Sequence, residues 1–180
     1  LDREVQDEIC ARYSLPGPAD PDDLSAHYRR YIALQRFLGY DYVRAGLLDV
    51  ALPLKRDVAV DTAALQRDGG RRFQDEHVGP ITSWEEFEAF QWPDPERDEV
   101  YRMFEWCEEH LPDDMCVMAT GGFAHFNEHL SWLMGYETLC YALFDRRDLV
   151  RAISERLLAI SEAAVRRVLH EKTGLVPDYV

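Results

Sequence analysis

Residues 115–135 read MCVMATGGFAHFNEHLSWLMG. The apolar run 115–119 is too short for a helix and suits a strand buried on both faces. A glycine pair follows, and then a helical pattern, so the stretch is a strand, a tight turn and a helix. Where parallel strands form a sheet or barrel, the turn leaving a strand's carboxyl end is where ligands meet the protein. Gly121 and Gly122 would let backbone N–H groups come close to one. The polar groups just beyond them are Thr120, His125, Asn127, Glu128 and His129, and part of any reactive site is expected here.

Composition limits what surrounds this unit. The chain has 180 residues, 47% of them hydrophobic, with four Trp, nine Tyr and eight Phe to fill a core of useful size. A formal charge of -14, with no basic block to offset it, excludes nucleic acid as a natural partner. Cys10, Cys107, Cys116 and Cys140 are widely separated and form no CxxC pair; Cys107 and Cys140 on helical apolar faces and Cys116 in the strand read as packed thiols, which fits a reducing cytosol. No apolar run is long enough for a membrane span, and residues 1–10 lack the basic and apolar regions of a signal peptide. A cytoplasmic protein is the expectation. Leu1 is no initiator methionine, and LVPDYV at 175–180 reads like a strand that never receives a neighbour. The sequence therefore reads as a fragment.

Residues 1–13 suit a short acidic helix, closed by Pro16, Gly17 and Pro18. Asp20 followed by Pro21 predicts a helix over about 21–38, with Leu24, Tyr28, Tyr31, Ile32, Gln35 and Leu38 near one face and Gly39 as its stop. Short strands are expected at 40–43 and about 58–61, Gly69 and Gly70 mark a turn, and 71–77 suits a hairpin arm. Ser83 with Glu86 fits a capping box opening a helix within 81–90. Asp94 and Pro95 predict another helix, burying Val100, Met103, Phe104, Cys107 and Leu111. After the strand and helix of 115–134 come a helix over 136–144 and a long one capped by Asp145. That last helix carries Leu149, Ile153, Leu157, Ile160, Ala164 and Val168 inward, with Arg151–Glu155 and Glu162–Arg166 pairing outside. Helices alternating with short buried strands imply an α/β class with parallel strands. A complete eight-stranded barrel takes about 250 residues, so this length holds part of one or a smaller open sheet.

His125-Phe126-Asn127-Glu128-His129 satisfies the H-x-x-E-H pattern of one zinc-peptidase class, and two histidines four apart share a helix face. Five-residue patterns also arise by chance, and no third ligand is identifiable. Lining a pocket or capping a helix is the commoner role for such histidines. Asp22–Asp23, Glu85–Glu86 and Glu108–Glu109 read as helix starts and solvated faces rather than catalytic pairs. Trp84, Phe87, Phe90 and Trp92 read as core or subunit-contact packing before a cofactor platform.

Three segments, FLGYDYV (37–43), GGRRFQDEHVGPITSWEEFEAFQWPDPE (69–96) and ATGGFAHFNEHLSWLMGYETLCYALFDRRDLV (119–150), together resemble the uroporphyrinogen decarboxylase superfamily, which includes corrinoid-linked methyltransferases. The resemblance covers most of residues 24–180 and corresponds to roughly the N-terminal half of that family's single barrel, with 1–20 as an extension. It implies a (β/α)8 TIM barrel, to which this chain contributes half as one domain over 1–180. It also implies that Gly121, Gly122, Phe123 and His125 face the ligand, joined by Asn127 and His129, with His125 the candidate for polar contact or proton transfer.

The arginine-rich R-Q-A-G-R loop and the F-S-D-I segment of true uroporphyrinogen decarboxylases are both missing, and their active-site tyrosine falls near Trp132. A substrate rich in carboxylates would meet an acidic chain with little compensation. The resemblance therefore points first to a cobalamin-dependent methyltransferase. It implies zinc to activate a thiol, with ligands outside this segment, and methylcobalamin or a corrinoid protein as methyl donor or acceptor. Uroporphyrinogen decarboxylation is the alternative, and a noncatalytic module that completes itself against a second copy, as in a homodimer, is a third reading.

Overall fold

The computed structural model describes residues 2–18, 20, 23–46, 52–54, 56–60, 70–74, 77–120 and 126–168. They form a mixed α/β chain with a small parallel sheet, in the order α1 (Arg3–Arg12), α2 (Leu24–Phe37), β1 (Tyr42–Gly46), β2 (Arg56–Ala59), β3 (Arg71–Gln74), α3 (Trp84–Ala89), a 3-10 turn (Asp98–Tyr101), α4 (Arg102–His110), β4 (Cys116–Thr120), α5 (Phe126–Met134), α6 (Tyr136–Asp145) and α7 (Arg147–Arg167).

β1 and β4 are parallel neighbours, with Tyr42 opposite Cys116 and Gly46 opposite Thr120. β2 and β3 pair antiparallel as a separate hairpin, Arg56 opposite Gln74 and Ala59 opposite Arg71, inserted in sequence between the parallel strands. Parallel strands need a crossover, and here the hairpin, α3 and α4 all lie in the connection.

The N-terminal helices set the edge of β1. α2 starts one turn later than Asp20 would place it: Asp23 caps it by accepting the Ala26 N–H at 2.9 Å, while the Asp20 carbonyl closes the preceding turn. Its end is a Schellman motif, in which Gly39 at φ +84° lets the Tyr40 N–H reach the Gln35 carbonyl. That bond commits Tyr40 to the helix terminus, so the strand begins at Tyr42 rather than at 40. Similarly, Asp94 accepts the Glu96 N–H in a local turn instead of opening a helix, and α4 starts only at Arg102. The β2 strand ends at Ala59, earlier than expected, and Asp61, Gly69 and residues 175–180 lie outside the described residues.

The core lies between the inner face of β1 and the helices. Val43 and Ala45 are fully buried against a cluster that includes Tyr28, Phe104, Cys107, Leu133, Ile153 and Leu157. α4 buries Met103, Phe104 and Cys107 as its spacing predicts, and the side chain of Val100 lies outside the described residues. All six inward positions expected of the last helix are buried. Asp145, however, belongs to α6, whose last turn takes the Arg146 N–H onto the Ala142 carbonyl. Arg146 is the residue that precedes α7, and its side chain makes no cap.

Two further expectations need correcting. β4 is not buried on both faces: Met115 is buried just before it, but Cys116 and Met118 are exposed, because no described layer covers the face they share, and Ala119, on the opposite face, is exposed near the strand's end. Cys116 and Cys140 are exposed thiols, while Cys10 and Cys107 are buried.

Candidate functional site

The carboxyl ends of β1 and β4 lie side by side, since Gly46 and Thr120 are register partners. The chain therefore leaves both strands at one edge of the sheet, the edge at which parallel α/β proteins build their sites. Along each strand successive side chains alternate, so Tyr42, Arg44, Cys116 and Met118 share the open face while Val43 and Ala45 face the helices.

Gly121, Gly122, Phe123 and His125 lie outside the described residues. α5 begins directly after them. Asn127 and Glu128 are exposed in its first turn, and His129 is half-buried with its ring edge-on to Trp132, centroids 5.2 Å apart at 71°. Among the described residues no acceptor reaches the buried Trp132 Nε1. An unmatched buried donor of this kind costs about 1–3 kcal/mol, which an oxygen of a bound molecule or water would recover. Of the residues read as a site, Asn127 and His129 are thus on the first turns of one helix beside a wanting indole.

No group of three or more His, Cys, Asp or Glu able to hold a metal stands among the described residues. They do not supply a zinc site, and the H-x-x-E-H pattern contributes at most His129 and Glu128 from within them.

A second feature had no signal in any motif. The free edge of β1 is closed by α2 side chains: Gln35 Nε2 donates to the Tyr42 carbonyl at 3.2 Å, and the Arg44 N–H donates to Tyr31 Oη at 3.3 Å. Beside this edge, between α1, α2 and β1, lie two adjoining clefts of about 270 and 200 Å³ that share Gln6, Tyr31 and Arg44. The larger is walled by Leu34, Leu38, Tyr40 and Tyr42, and the smaller by His27, Arg30 and Met103. The one available clue was Y-V-R-A-G itself, a charged residue between two apolar ones, which alternation sends away from the core.

Among the described residues no helix is long and apolar enough to cross a membrane. No family model, no curated protein and no solved structure matches this chain.

Proposed function

We propose that the chain supplies the first half of a (β/α)8 barrel of the uroporphyrinogen decarboxylase type, and that the protein moves a methyl group between a corrinoid and a small thiol. The observation that carries this reading is the parallel pairing of β1 with β4, strands separated in sequence by an inserted hairpin and two helices, with Gly46 beside Thr120. Adjacent parallel strands joined by a helical crossover are the repeating unit of such a barrel. Their common carboxyl edge leads in sequence to the glycine pair 121–122 from one strand and to residue 47 from the other.

In this reading Gly121, Gly122 and Phe123 wall the substrate cavity, Asn127 and His129 border it from α5, and His125 takes the thiol proton. A sulfur–methyl bond forms as the cobalt–methyl bond breaks, its electron pair remaining with cobalt. Zinc would lower the thiol's pKa, but its ligands would come from residues beyond those described, so no step is assigned to it.

The test is methyl exchange between methylcobalamin and a panel of small thiols, run with metal analysis on the full-length protein. Exchange lost in His125→Ala and retained in His110→Ala, a histidine on the surface of α4, is the expected result. The absence of both methyl exchange and bound zinc would overturn the assignment. Conversion of uroporphyrinogen to coproporphyrinogen would replace it with the decarboxylase. A chain that is inactive in both assays and forms a tight dimer would point to the noncatalytic module.

A further inference from the structure

We propose that the paired clefts between α1, α2 and β1 bind a small organic carboxylate, held by the Arg44 guanidinium and the Tyr31 hydroxyl with its apolar body against Tyr40 and Tyr42. This inference is independent of the barrel reading.

Arg44 is the central observation. Its backbone is fixed by the N–H bond to Tyr31 Oη and by pairing with Met118, so the start of its side chain is positioned on the open face of β1. Arg44 is exposed, and its guanidinium enters none of the arginine–carboxylate ion pairs among the described residues, although the chain carries 34 acidic side chains against 20 basic ones. Other arginines of the chain pair with carboxylates, as Arg36 does with Asp114, Arg151 with Glu155 and Arg166 with Glu162. Arg44 instead lines both clefts.

Its neighbours complete the recognition. Tyr31 Oη accepts from the Arg44 N–H, which leaves the phenolic proton free to donate. Arg30 lines the smaller cleft with only 7% of its surface exposed, and its Nε is buried without an acceptor among the described residues, while its terminal nitrogen is spent on Asp7 and lies 3.7 Å from Cys10 Sγ. Among the described residues that line these clefts or pair with their lining, two guanidinium groups stand against the Asp7 carboxylate. One guanidinium fork plus one hydroxyl matches the two oxygens of a carboxylate. A phosphate dianion would need a second free cation, and Asp7 already occupies Arg30.

The shape also favours an acid with a body. Leu34 and Leu38 line the larger cleft beside the Tyr40 and Tyr42 rings, whose centroids are 5.3 Å apart. A flat or short aliphatic group would lie there while the carboxylate stays at Arg44. The combined volume suits a molecule of modest size, below that of a typical drug.

Benzoate and hexanoate are the probes, titrated calorimetrically into the full chain with benzamide and inorganic phosphate as comparators, and with the Arg44 amide followed by nuclear magnetic resonance. At least one of the two acids should bind and shift the Arg44 resonance, with benzamide and phosphate at least about 10-fold weaker. Arg44→Gln should weaken the acid by about 10- to 100-fold, the range for a lost charge-assisted hydrogen bond. Its melting temperature should stay near that of the parent, since among the described residues the guanidinium pairs with no carboxylate. Tyr31→Phe should weaken binding less. The proposal is overturned if neither acid binds at millimolar concentration, if Arg44→Gln binds as the parent does, or if phosphate binds more tightly than both acids.

Discussion

The backbone of Gly79 lies directly on that of Gly135. A Cβ built at Gly79 would stand 2.3 Å from the Leu133 carbonyl oxygen and 2.4 Å from Gly135 N, and one at Gly135 would stand 2.6 Å from the His77 carbonyl oxygen. The crossing is tied by the Ile81 N–H on the Leu133 carbonyl at 2.8 Å. It fastens the segment before α3 to the end of α5, the helix that would carry His129 to the site.

Because the obstructing atoms are backbone, neither position can yield by turning a side chain. Gly135 has the further burden of φ +78° with ψ 137°, outside even the left-handed helical region, a conformation that costs an L residue about 1–3 kcal/mol. Gly79→Ala and Gly135→Ala should each destabilise the fold by about 2 kcal/mol or more, lowering the melting temperature by about 5 °C. Gly17→Ala, where nothing lies within 4 Å of the added methyl, is the control and should change little. Equal melting of all three would show that the close crossing is not present in solution.

The start of α3 predicts a pH effect. Ser83 Oγ accepts the Glu86 N–H at 3.2 Å, and the Glu86 carboxylate accepts the Thr82 N–H at 2.7 Å and the Thr82 hydroxyl at 2.8 Å. These bonds, the Thr82 backbone N–H foremost, hold the Glu86 pKa below 4.5. A carboxylate depressed in the folded state stabilises fully above its unfolded pKa, and that contribution is lost as pH falls from about 4.5 through the lower folded value. Glu86→Gln should remove this part of the acid sensitivity, and Ser83→Ala should cost about 1 kcal/mol at neutral pH. Urea denaturation of the three proteins between pH 3 and 7 measures both.

What could be read in advance divides along physical lines. The inward positions of α7 were legible because a 3.6-residue period over 21 residues depends on one surface only, the helix's own. Ser83 and Glu86 were legible because capping is local chemistry. The open face of β4 was not, since the burial of MCVMA depends on whether another layer covers it. Asp145 misled for a related reason: an acid before R-R-D-L-V looks like a cap, but α6 and α7 abut with only Arg146 between them, and Asp145 is used by the earlier helix. The Gly79–Gly135 crossing and the Tyr31–Arg44 bond join residues far apart or on different elements, and no periodicity reports them. Of the expected site, Asn127 and His129 were correctly put on the helix after β4, whereas the Arg44 cleft had no motif to announce it.

Tyr28 offers a test of an opposite kind, in which removing a polar group should do no harm. Its side chain is only 4% exposed, packs at 5.3 Å from the Trp106 ring, and its hydroxyl has no acceptor among the described residues. Burial chiefly, and the nearby Cys107 thiol secondarily, push its pKa up, with Arg102 opposing. Tyr28→Phe keeps the ring and discards the unmatched hydroxyl, so stability should be unchanged or higher by about 1 kcal/mol. A loss above about 1 kcal/mol in chemical denaturation would mean that the hydroxyl has a partner.

The cysteines should separate into two kinds by rate. Cys116 lies on the open face of β4 and Cys140 on the outer side of α6, both exposed, whereas Cys10 and Cys107 are buried. Burial also pushes the Cys107 thiol up from 9.0 to about 11, so at pH 8 its thiolate is scarce as well as shielded. An aromatic disulfide reagent should therefore modify Cys116 and Cys140 quickly in the folded protein, and Cys10 and Cys107 only on unfolding. The same shift gives a stability slope: a thiol that ionises later when folded stabilises fully below pH 9, and this is lost as pH rises from 9 towards 11 because the unfolded chain ionises first. Cys107→Ala should flatten that alkaline slope while lowering stability at pH 7 through the small cavity it leaves. Rapid labelling of all four thiols at pH 8 would place α4 away from the core, and with it the packing of β1 that sets the site's edge.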